Sequence, residues 1–242
     1  MNTLASNHPR SLILPPPALR TEDGIAHYDN PHPRCPVALL LDVSDSMAGA
    51  PVAELSQGLQ AFFADVAADD LASLRVDPAI FTFGGTVEQV MPFGTTEVGV
   101  PVTPPRLTTQ GGTPLGAAVR TAVVAIEARR RLYRDCALAS YFPWVVILSD
   151  GAPNDRGWEE AADQLRGLAQ SRWNVLAVGI GDNANLEILQ RFAVHPARRL
   201  SATRFREFFR WLSDSLKVTS RSPIAQAPAP GLPAVLPALP PL

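Results

Sequence analysis

The chain has 242 residues, a length that suits one ordinary domain with additional terminal segments and is too short for two full α/β domains. Hydrophobic residues make up 46% and charged residues 18%, so the composition provides for a sizeable core and argues against wholesale disorder. The formal net charge is −2, from 23 acidic and 21 basic residues, which gives no electrostatic indication of a nucleic-acid partner.

The sequence contains no recognisable membrane or secretion signal. It has no uninterrupted apolar window of about 18 residues, the length that a membrane-spanning helix needs. The first residues lack an apolar stretch long enough for a secretory signal. We therefore expect a cytoplasmic protein with no membrane partner. Cys35 and Cys136 are too few for a disulfide framework, and neither has neighbours in the sequence that would activate a thiolate.

Proline is concentrated at the two ends of the chain. Residues 1–36 contain seven prolines and residues 223–242 contain seven more, of 24 in total. Such a density removes backbone hydrogen-bond donors and favours extended, solvated chain. We predict a proline-rich flexible leader over residues 1–33, a folded domain over 34–219, and a Pro/Ala-rich disordered tail over 220–242. A docking segment in the tail is the less favoured alternative.

Within the predicted domain, two hydrophobic patterns alternate. Continuous apolar runs predict buried parallel strands at 37–41, 144–148 and 174–180. A glycine pair between two strand-like runs, Gly84-Gly85, predicts a hairpin over 79–93. Apolar residues three and four positions apart predict helices at 52–66, 115–126, 158–168, 186–192 and 205–216.

This alternation predicts the fold class. Strands separated by helices indicate an α/β fold in three layers, a doubly wound, mostly parallel central sheet with helices on both faces and one antiparallel edge strand. In such folds ligands bind beyond the carboxyl ends of the strands, where the strand order reverses. Residues that directly follow the strands are therefore the candidates for a functional site.

Oxygen-bearing side chains occupy these positions. Asp42, Ser44 and Ser46 follow the first strand, and Asp150 follows the strand at 144–148. Thr113 lies in a glycine-containing loop before the second predicted helix. Together they form an all-oxygen set suited to magnesium or manganese and poorly suited to zinc. Each fragment alone has an ordinary explanation as a helix cap, a helix entry or a turn, but their combination at strand ends is more specific.

The order Asp42-x-Ser44-x-Ser46, then Thr113, then Asp150 resembles the metal-ion-dependent adhesion site of the von Willebrand factor A (vWA) domain family. The resemblance implies the vWA fold and a bound Mg²⁺, with Mn²⁺ or Ca²⁺ as alternatives. Ser44 and Ser46 would bind the ion directly, Thr113 directly or through water, and Asp42 and Asp150 mostly through water. It also implies a non-enzymatic role in which an acidic residue of a protein partner completes the coordination.

Three further stretches resemble bacterial TerY-like proteins, namely residues 112–118, 148–155 and 208–213. Those proteins belong to tellurium-resistance and stress-response gene clusters, where they are associated with a protein kinase and a PP2C-type phosphatase. The resemblance implies a scaffold or adaptor role in such a system, with the kinase and the phosphatase as partners.

Asp45 departs from the family pattern, because many members carry a small residue there, often glycine. Aspartate tolerates a positive φ better than most residues do, and here it would place a third carboxylate near the ion. The favoured alternative is a side chain that points into solvent. Asp155 and Asp182 also follow strands and are expected near the rim of the site, without a role as ligands.

Two other functional hypotheses stay open at this stage. A divergent metal-dependent hydrolase is disfavoured, because Ser44 lies in no Gly-x-Ser-x-Gly turn and the sequence shows no nucleophile–base pair. A structural domain that binds no metal is the third hypothesis.

A basic stretch contains Arg129, Arg130, Arg131 and Arg134. We predict that it forms a solvated helix face.

Overall fold

The structure is a computed structural model, and it describes residues 30–96, 102–201 and 204–224. The predicted leader and tail lie largely outside these residues. At the start of the described chain, Asn30 is buried and its side-chain amide donates a hydrogen bond of 2.8 Å to the Leu74 carbonyl. This end of the described chain is therefore anchored to the domain.

Strands and helices alternate along the described residues. The strands are β1 Cys35–Asp42, β2 Val76–Gly84, β3 Thr86–Met91, β4 Trp144–Ser149, β5 Asn174–Ile180 and β6 Arg198–Leu200. The helices are α1 Ala50–Ala67, α2 Ala72–Arg75, α3 Leu115–Asp135, α4 Trp158–Gln170, α5 Leu186–Gln190 and α6 Phe205–Arg221. A 3₁₀ turn over Asp45–Met47 follows β1. None of the described helices combines the length and the apolar character that crossing a membrane requires.

One sheet contains all of these strands, in the order β3-β2-β1-β4-β5-β6. The edge strand β3 pairs antiparallel with β2 through the predicted hairpin, and every other neighbouring pair is parallel. From β1 the chain moves outward to β3 and then returns through α3 to β4, on the other side of β1. The strand order therefore reverses between β1 and β4, and this is where a ligand site is expected.

The core lies on both faces of the sheet. Val37, Leu39 and Leu41 of β1 pack with residues of α1 and α6, whereas Ala38 and Leu40 face α3 and α4. This division follows from the alternation of side chains along a strand. Every residue of β1, β2, β4 and β5 is buried, which explains their continuous apolar runs. The predicted three-layer fold class is confirmed.

The prediction of a solvated arginine face is wrong for Arg129, which is 5% exposed. Its guanidinium binds the fully buried Asp77 carboxylate, with Nε–Oδ2 and Nη2–Oδ1 distances of 2.7 and 3.2 Å, and the Tyr133 hydroxyl donates to the same carboxylate. Burial by itself lowers the pKa of Arg129, but the charge and hydrogen bonds of Asp77, together with the interaction with Tyr133, outweigh burial and hold that pKa above its ordinary value. Arg129 follows Ile126 by three positions, so it continues the buried face of α3.

We predict that Arg129→Ala destabilises the domain by about 3–5 kcal/mol, because it leaves the Asp77 charge buried without its cation. Urea unfolding measures this change. Arg131→Ala is the matched control, since Arg131 is exposed, and we expect it to change the free energy of unfolding by less than about 0.5 kcal/mol. Equal effects of the two substitutions would contradict a stabilising role for the buried pair.

Candidate metal centre

Asp42 ends β1 and is fully buried beside the end of β4. The Ser149 hydroxyl donates to its Oδ2 at 2.6 Å, and the Ser44 backbone N–H donates to its Oδ1 at 2.9 Å. Burial raises the pKa of Asp42 above its ordinary value; the hydrogen bonds from Ser149 and Ser44 oppose this rise and the nearby Asp150 charge adds to it. Neither hydrogen-bond donor carries a positive charge that would offset the charge of ionised Asp42. A cation at this site would therefore favour the ionised form of Asp42.

A chain of hydroxyl groups leads from Asp42 toward Asp150. The Ser44 and Ser46 hydroxyl oxygens are 3.0 Å apart, and the Ser46 hydroxyl donates to Asp150 Oδ2 at 2.8 Å. A hydroxyl has one proton to donate, so Ser46 accepts its hydrogen bond from Ser44. Ser44 is buried and Ser46 is exposed. The oxygens therefore extend from the interior of the domain to its surface.

The loop that carries Thr113 is fixed to the end of β1 by backbone hydrogen bonds. The Gln110 N–H donates to the Val43 carbonyl at 2.8 Å, and the Asp45 N–H donates to the Gly111 carbonyl at 3.0 Å. Thr113 follows two residues after Gly111 and is buried. The backbone thus brings the Thr113 segment to the turn that contains the two serines.

The two polar groups of the Thr113 backbone are paired, but its hydroxyl is not. The backbone N–H donates to Asn154 Oδ1 at 3.1 Å, and the carbonyl accepts from the Asn154 N–H at 3.0 Å. Within the part of the chain that the structure describes, the hydroxyl has no hydrogen-bond partner. A hydroxyl at this rim without a partner is available to a ligand.

The remaining aspartates near the site differ in role. Asp155 binds the start of α3, accepting from the Gly116 and Ala117 N–H groups at 3.1 and 2.8 Å, so it positions a helix. Asp45 and Asp182 are exposed. Among the described non-glycine residues only Ala137 and Arg172 have a positive φ. The Asp45 backbone therefore needs no glycine-like conformation, and its exposure supports the solvent-facing alternative.

A cleft of about 500 Å³ opens beside these oxygens. Ser46 and Asp150 form part of its wall, and much of the rest is apolar. The apolar wall includes Met47, Pro51, Ile180 and Ile188, and Asp182 also lines the cleft. The candidate site is thus continuous with a surface depression large enough to take a few side chains of a partner.

Comparison with known proteins identifies the family. The family profile of the von Willebrand factor type A domain matches residues 37–212, which is more than half of the 242-residue chain. The chain belongs to the vWA domain family. A comparison with curated proteins finds no match.

Solved structures support the vWA fold. The vWF domain of the type V pili tip protein Mfa5 from Porphyromonas gingivalis gives a TM-score of 0.61 at 11% identity, covering 79% of this chain and 98% of that one. Manganese-loaded TRAP protein from Plasmodium vivax gives 0.50 at 16%, covering 72% and 71%. Proximal thread matrix protein 1 from the mussel byssus, with a zinc-occupied MIDAS motif, gives 0.52 at 17%, covering 79% and 47%. This chain thus spans about half of the mussel protein, and at these identities the likeness shows the fold alone.

The donor set of this vWA domain fits a hard divalent cation. Adjacent oxygens around an octahedral Mg²⁺ lie about 2.9 Å apart, because Mg–O distances are 2.0–2.1 Å. The distance of 3.0 Å between the Ser44 and Ser46 hydroxyl oxygens, the two proposed direct ligands, is close to that spacing. Among the described residues no three His, Cys, Asp or Glu side chains are placed to hold a metal ion together.

Of the predicted site residues, direct hydrogen bonds link Ser44 to Asp42 and to Ser46, and Ser46 to Asp150, while Thr113 is brought near by its loop. Two contributors were missed, Ser149 and Asn154. Ser149 ends a strand that pairs with β1, and this position was a signal for its contact with Asp42. No comparable signal exists in the sequence for Asn154, because its contact with Thr113 depends on how two loops meet.

We predict that Gly151→Ala destabilises the vWA domain by about 1–3 kcal/mol. Gly151 has a φ of +75°, and a Cβ atom there would lie 2.6 Å from the Asn185 carbonyl oxygen. The control is Gly167→Ala in α4, where a Cβ atom meets nothing within 4 Å and the change is expected to stabilise by about 0.5–1 kcal/mol. Thermal unfolding of both variants checks the opposite signs; a stabilising Gly151→Ala would contradict the geometry described for the Asp150 turn.

Proposed function

We propose that this vWA domain is a non-enzymatic, metal-dependent scaffold that binds a protein partner through an acidic residue of that partner. One observation carries the proposal: the hydroxyl groups of Ser44 and Ser46 link the buried end of β1 to Asp150 at the point where the strand order reverses. The buried Asp42 carboxylate and the unpartnered Thr113 hydroxyl complete a set of oxygens suited to a hard cation.

The residues that would hold Mg²⁺, or Mn²⁺ or Ca²⁺ in its place, are Ser44, Ser46 and Thr113, with Asp42 and Asp150 acting mostly through water. When bound, the cation supplies a position of positive charge that a carboxylate can complete. Ser44 and Ser46 contribute neutral oxygens and so leave most of that charge available to a partner. The manganese-loaded TRAP structure and the zinc-occupied mussel protein support a divalent cation.

The surroundings of the site restrict the partner. Asp182 is an exposed carboxylate that lines the cleft, and Asp45 is an exposed carboxylate directly before Ser46 in the chain. Both repel further negative charge. Pro51 and Ile188, which are half-buried, offer apolar contact in the same cleft. A segment with a single acidic residue flanked by apolar side chains fits this surface better than a run of acidic residues does.

The contacts favour binding over catalysis. The Ser44 hydroxyl contacts another serine hydroxyl at 3.0 Å, whereas a serine nucleophile needs a base within hydrogen-bond reach. The Ser46 hydroxyl does reach a carboxylate, that of Asp150 at 2.8 Å, but both groups belong to the oxygen set proposed to hold the cation. Burial raises the pKa of the Cys35 thiol, which keeps this thiol protonated and unreactive.

The likeness of residues 112–118, 148–155 and 208–213 to TerY-like proteins supports the cellular part of the proposal. According to this proposal, the domain acts in the cytoplasm as part of a tellurium-resistance or stress-response system. Its candidate partners are a protein kinase and a PP2C-type phosphatase. The small negative net charge of −2 favours protein over nucleic-acid partners.

We expect the full chain to bind Mn²⁺ and Mg²⁺ in titration calorimetry, and Ser46→Ala and Asp150→Asn each to weaken the affinity at least about tenfold. Both side chains lie at the surface end of the hydrogen-bonded series that leads from Ser44 through Ser46 to Asp150, so their replacement leaves the core intact. Asp163→Asn is the charge-matched control, because Asp163 is exposed on α4. Absence of Mn²⁺ and Mg²⁺ binding by the unmodified chain would favour the hypothesis of a structural domain without metal.

We further expect a partner to be captured from native lysate in magnesium and released by EDTA. Asp150→Asn should abolish this capture, because it removes one of the oxygens that hold the ion, whereas Asp163→Asn should capture as the unmodified chain does. Quantitative mass spectrometry of the bound fraction measures the difference. Capture that is equal with and without EDTA contradicts a metal bridge.

A further inference from the structure

We propose that Asn154 is a positioning residue for the metal centre, one that sets the affinity for the ion by holding the backbone of Thr113. The inference rests on the proposed function, because its effect is exerted on the same site. Asn154 lies four residues after Asp150, in the loop between β4 and α4. It therefore connects two parts of the site that come from distant parts of the chain.

Asn154 binds both polar groups of the Thr113 backbone. Its side-chain Oδ1 accepts from the Thr113 N–H at 3.1 Å, and its own N–H donates to the Thr113 carbonyl at 3.0 Å. The carbonyl also accepts from the Leu115 N–H at 2.9 Å, whereas Asn154 Oδ1 is the acceptor that holds the Thr113 N–H. The hydrogen bond to Asn154 Oδ1 therefore fixes the orientation of the peptide group that precedes the Thr113 Cα atom, from which the Thr113 side chain projects.

Gly112 gives Asn154 the space for this contact. A Cβ atom built on Gly112 would overlap the Asn154 side-chain amide, so the amide packs directly against the backbone before Thr113. The φ of Gly112 is not in the positive range, so an alanine there is acceptable to the backbone itself. The glycine is thus explained by the close approach of Asn154.

The next residue strengthens the same connection. Asp155 accepts from the Gly116 and Ala117 N–H groups at the start of α3. Asn154 and Asp155 together hold the segment that contains Thr113, and the loop in which they lie begins with Asp150. These hydrogen bonds therefore join the loop that begins with Asp150 to the segment that contains Thr113. This role differs from that of a ligand, because in the part of the chain that the structure describes the side chains of Asn154 and Asp155 form their hydrogen bonds with Thr113 and with α3, and none with Asp42, Ser44, Ser46 or Asp150.

The test measures Mn²⁺ affinity of the full chain by calorimetry. Asn154→Ala removes the acceptor of the Thr113 N–H, and we expect the affinity to fall about tenfold, the lower end of what is typical for residues that orient metal ligands. Asn154 is exposed, so the melting temperature should stay close to that of the unmodified chain. Gln164→Ala, an exposed amide on α4, is the matched control and should leave the affinity unchanged.

A double-substitution cycle identifies the route of the effect. If Asn154 acts through Thr113, adding Asn154→Ala to the Thr113→Ala variant should weaken Mn²⁺ binding little further. Adding it to the Ser46→Ala variant should still weaken Mn²⁺ binding about tenfold. Gly112→Ala displaces the amide, so it should weaken binding in the unmodified chain but not in the Asn154→Ala variant. Amide hydrogen exchange supplies a readout without metal: Asn154→Ala should accelerate exchange at Thr113.

The outcomes separate this inference from the proposed function. Strong Mn²⁺ binding that Asn154→Ala leaves unchanged overturns the positioning role alone. A loss that is equally large in the Thr113→Ala background also overturns it, since Asn154 then acts by another route. If the unmodified chain binds no Mn²⁺, the proposed function fails and the positioning role fails with it.

Discussion

The hydrogen bond from Ser149 to Asp42 joins the ends of two parallel strands, and the candidate site depends on their adjacency. The register of the pair places Leu41 beside Leu148, so the next residues, Asp42 and Ser149, meet at the carboxyl edge of the sheet. Ser149 neutralises no charge, and the buried carboxylate gains only hydrogen bonds from its neighbours. A cation nearby would lower the free energy of the ionised form, which ties the fold to the proposed chemistry.

Backbone hydrogen bonds between loops hold the rest of the site in place. Gln110 and Asp45 pair the Thr113 loop with the turn after β1, and Asn185 donates to the Asp150 carbonyl at 2.7 Å. Serine and threonine side chains are short, so the backbone determines where their oxygens lie. Such a site gains its precision from hydrogen bonds between loops rather than from the packing of large side chains.

Much of the fold could be predicted from hydrophobic periodicity, and the exceptions have physical causes. The strand predicted over 174–180 coincides with β5, Asn174–Ile180, because a strand buried on both faces leaves a continuous apolar run. Helix α2 and strand β6 were missed, since four and three residues are too few to show a period. Helix α3 extends to Asp135, beyond the predicted end at 126, because its last turns bury an ion pair that a hydrophobic pattern does not register.

The site was predictable to the extent that it is local. An extended turn after the first strand would point Ser44 and Ser46 in the same direction as Asp42. The structure has a 3₁₀ turn at Asp45–Met47 instead, and the Ser44 and Ser46 hydroxyl oxygens still lie 3.0 Å apart. Asp150 and Thr113 could be selected because one follows a buried strand and the other lies in the loop before a helix, and their role as ligands stays a prediction. The contact of Asn154 with Thr113 spans 41 residues, and no periodic pattern encodes it. Interactions of this kind depend on the relative placement of two loops, which exists only after the sheet between them has formed.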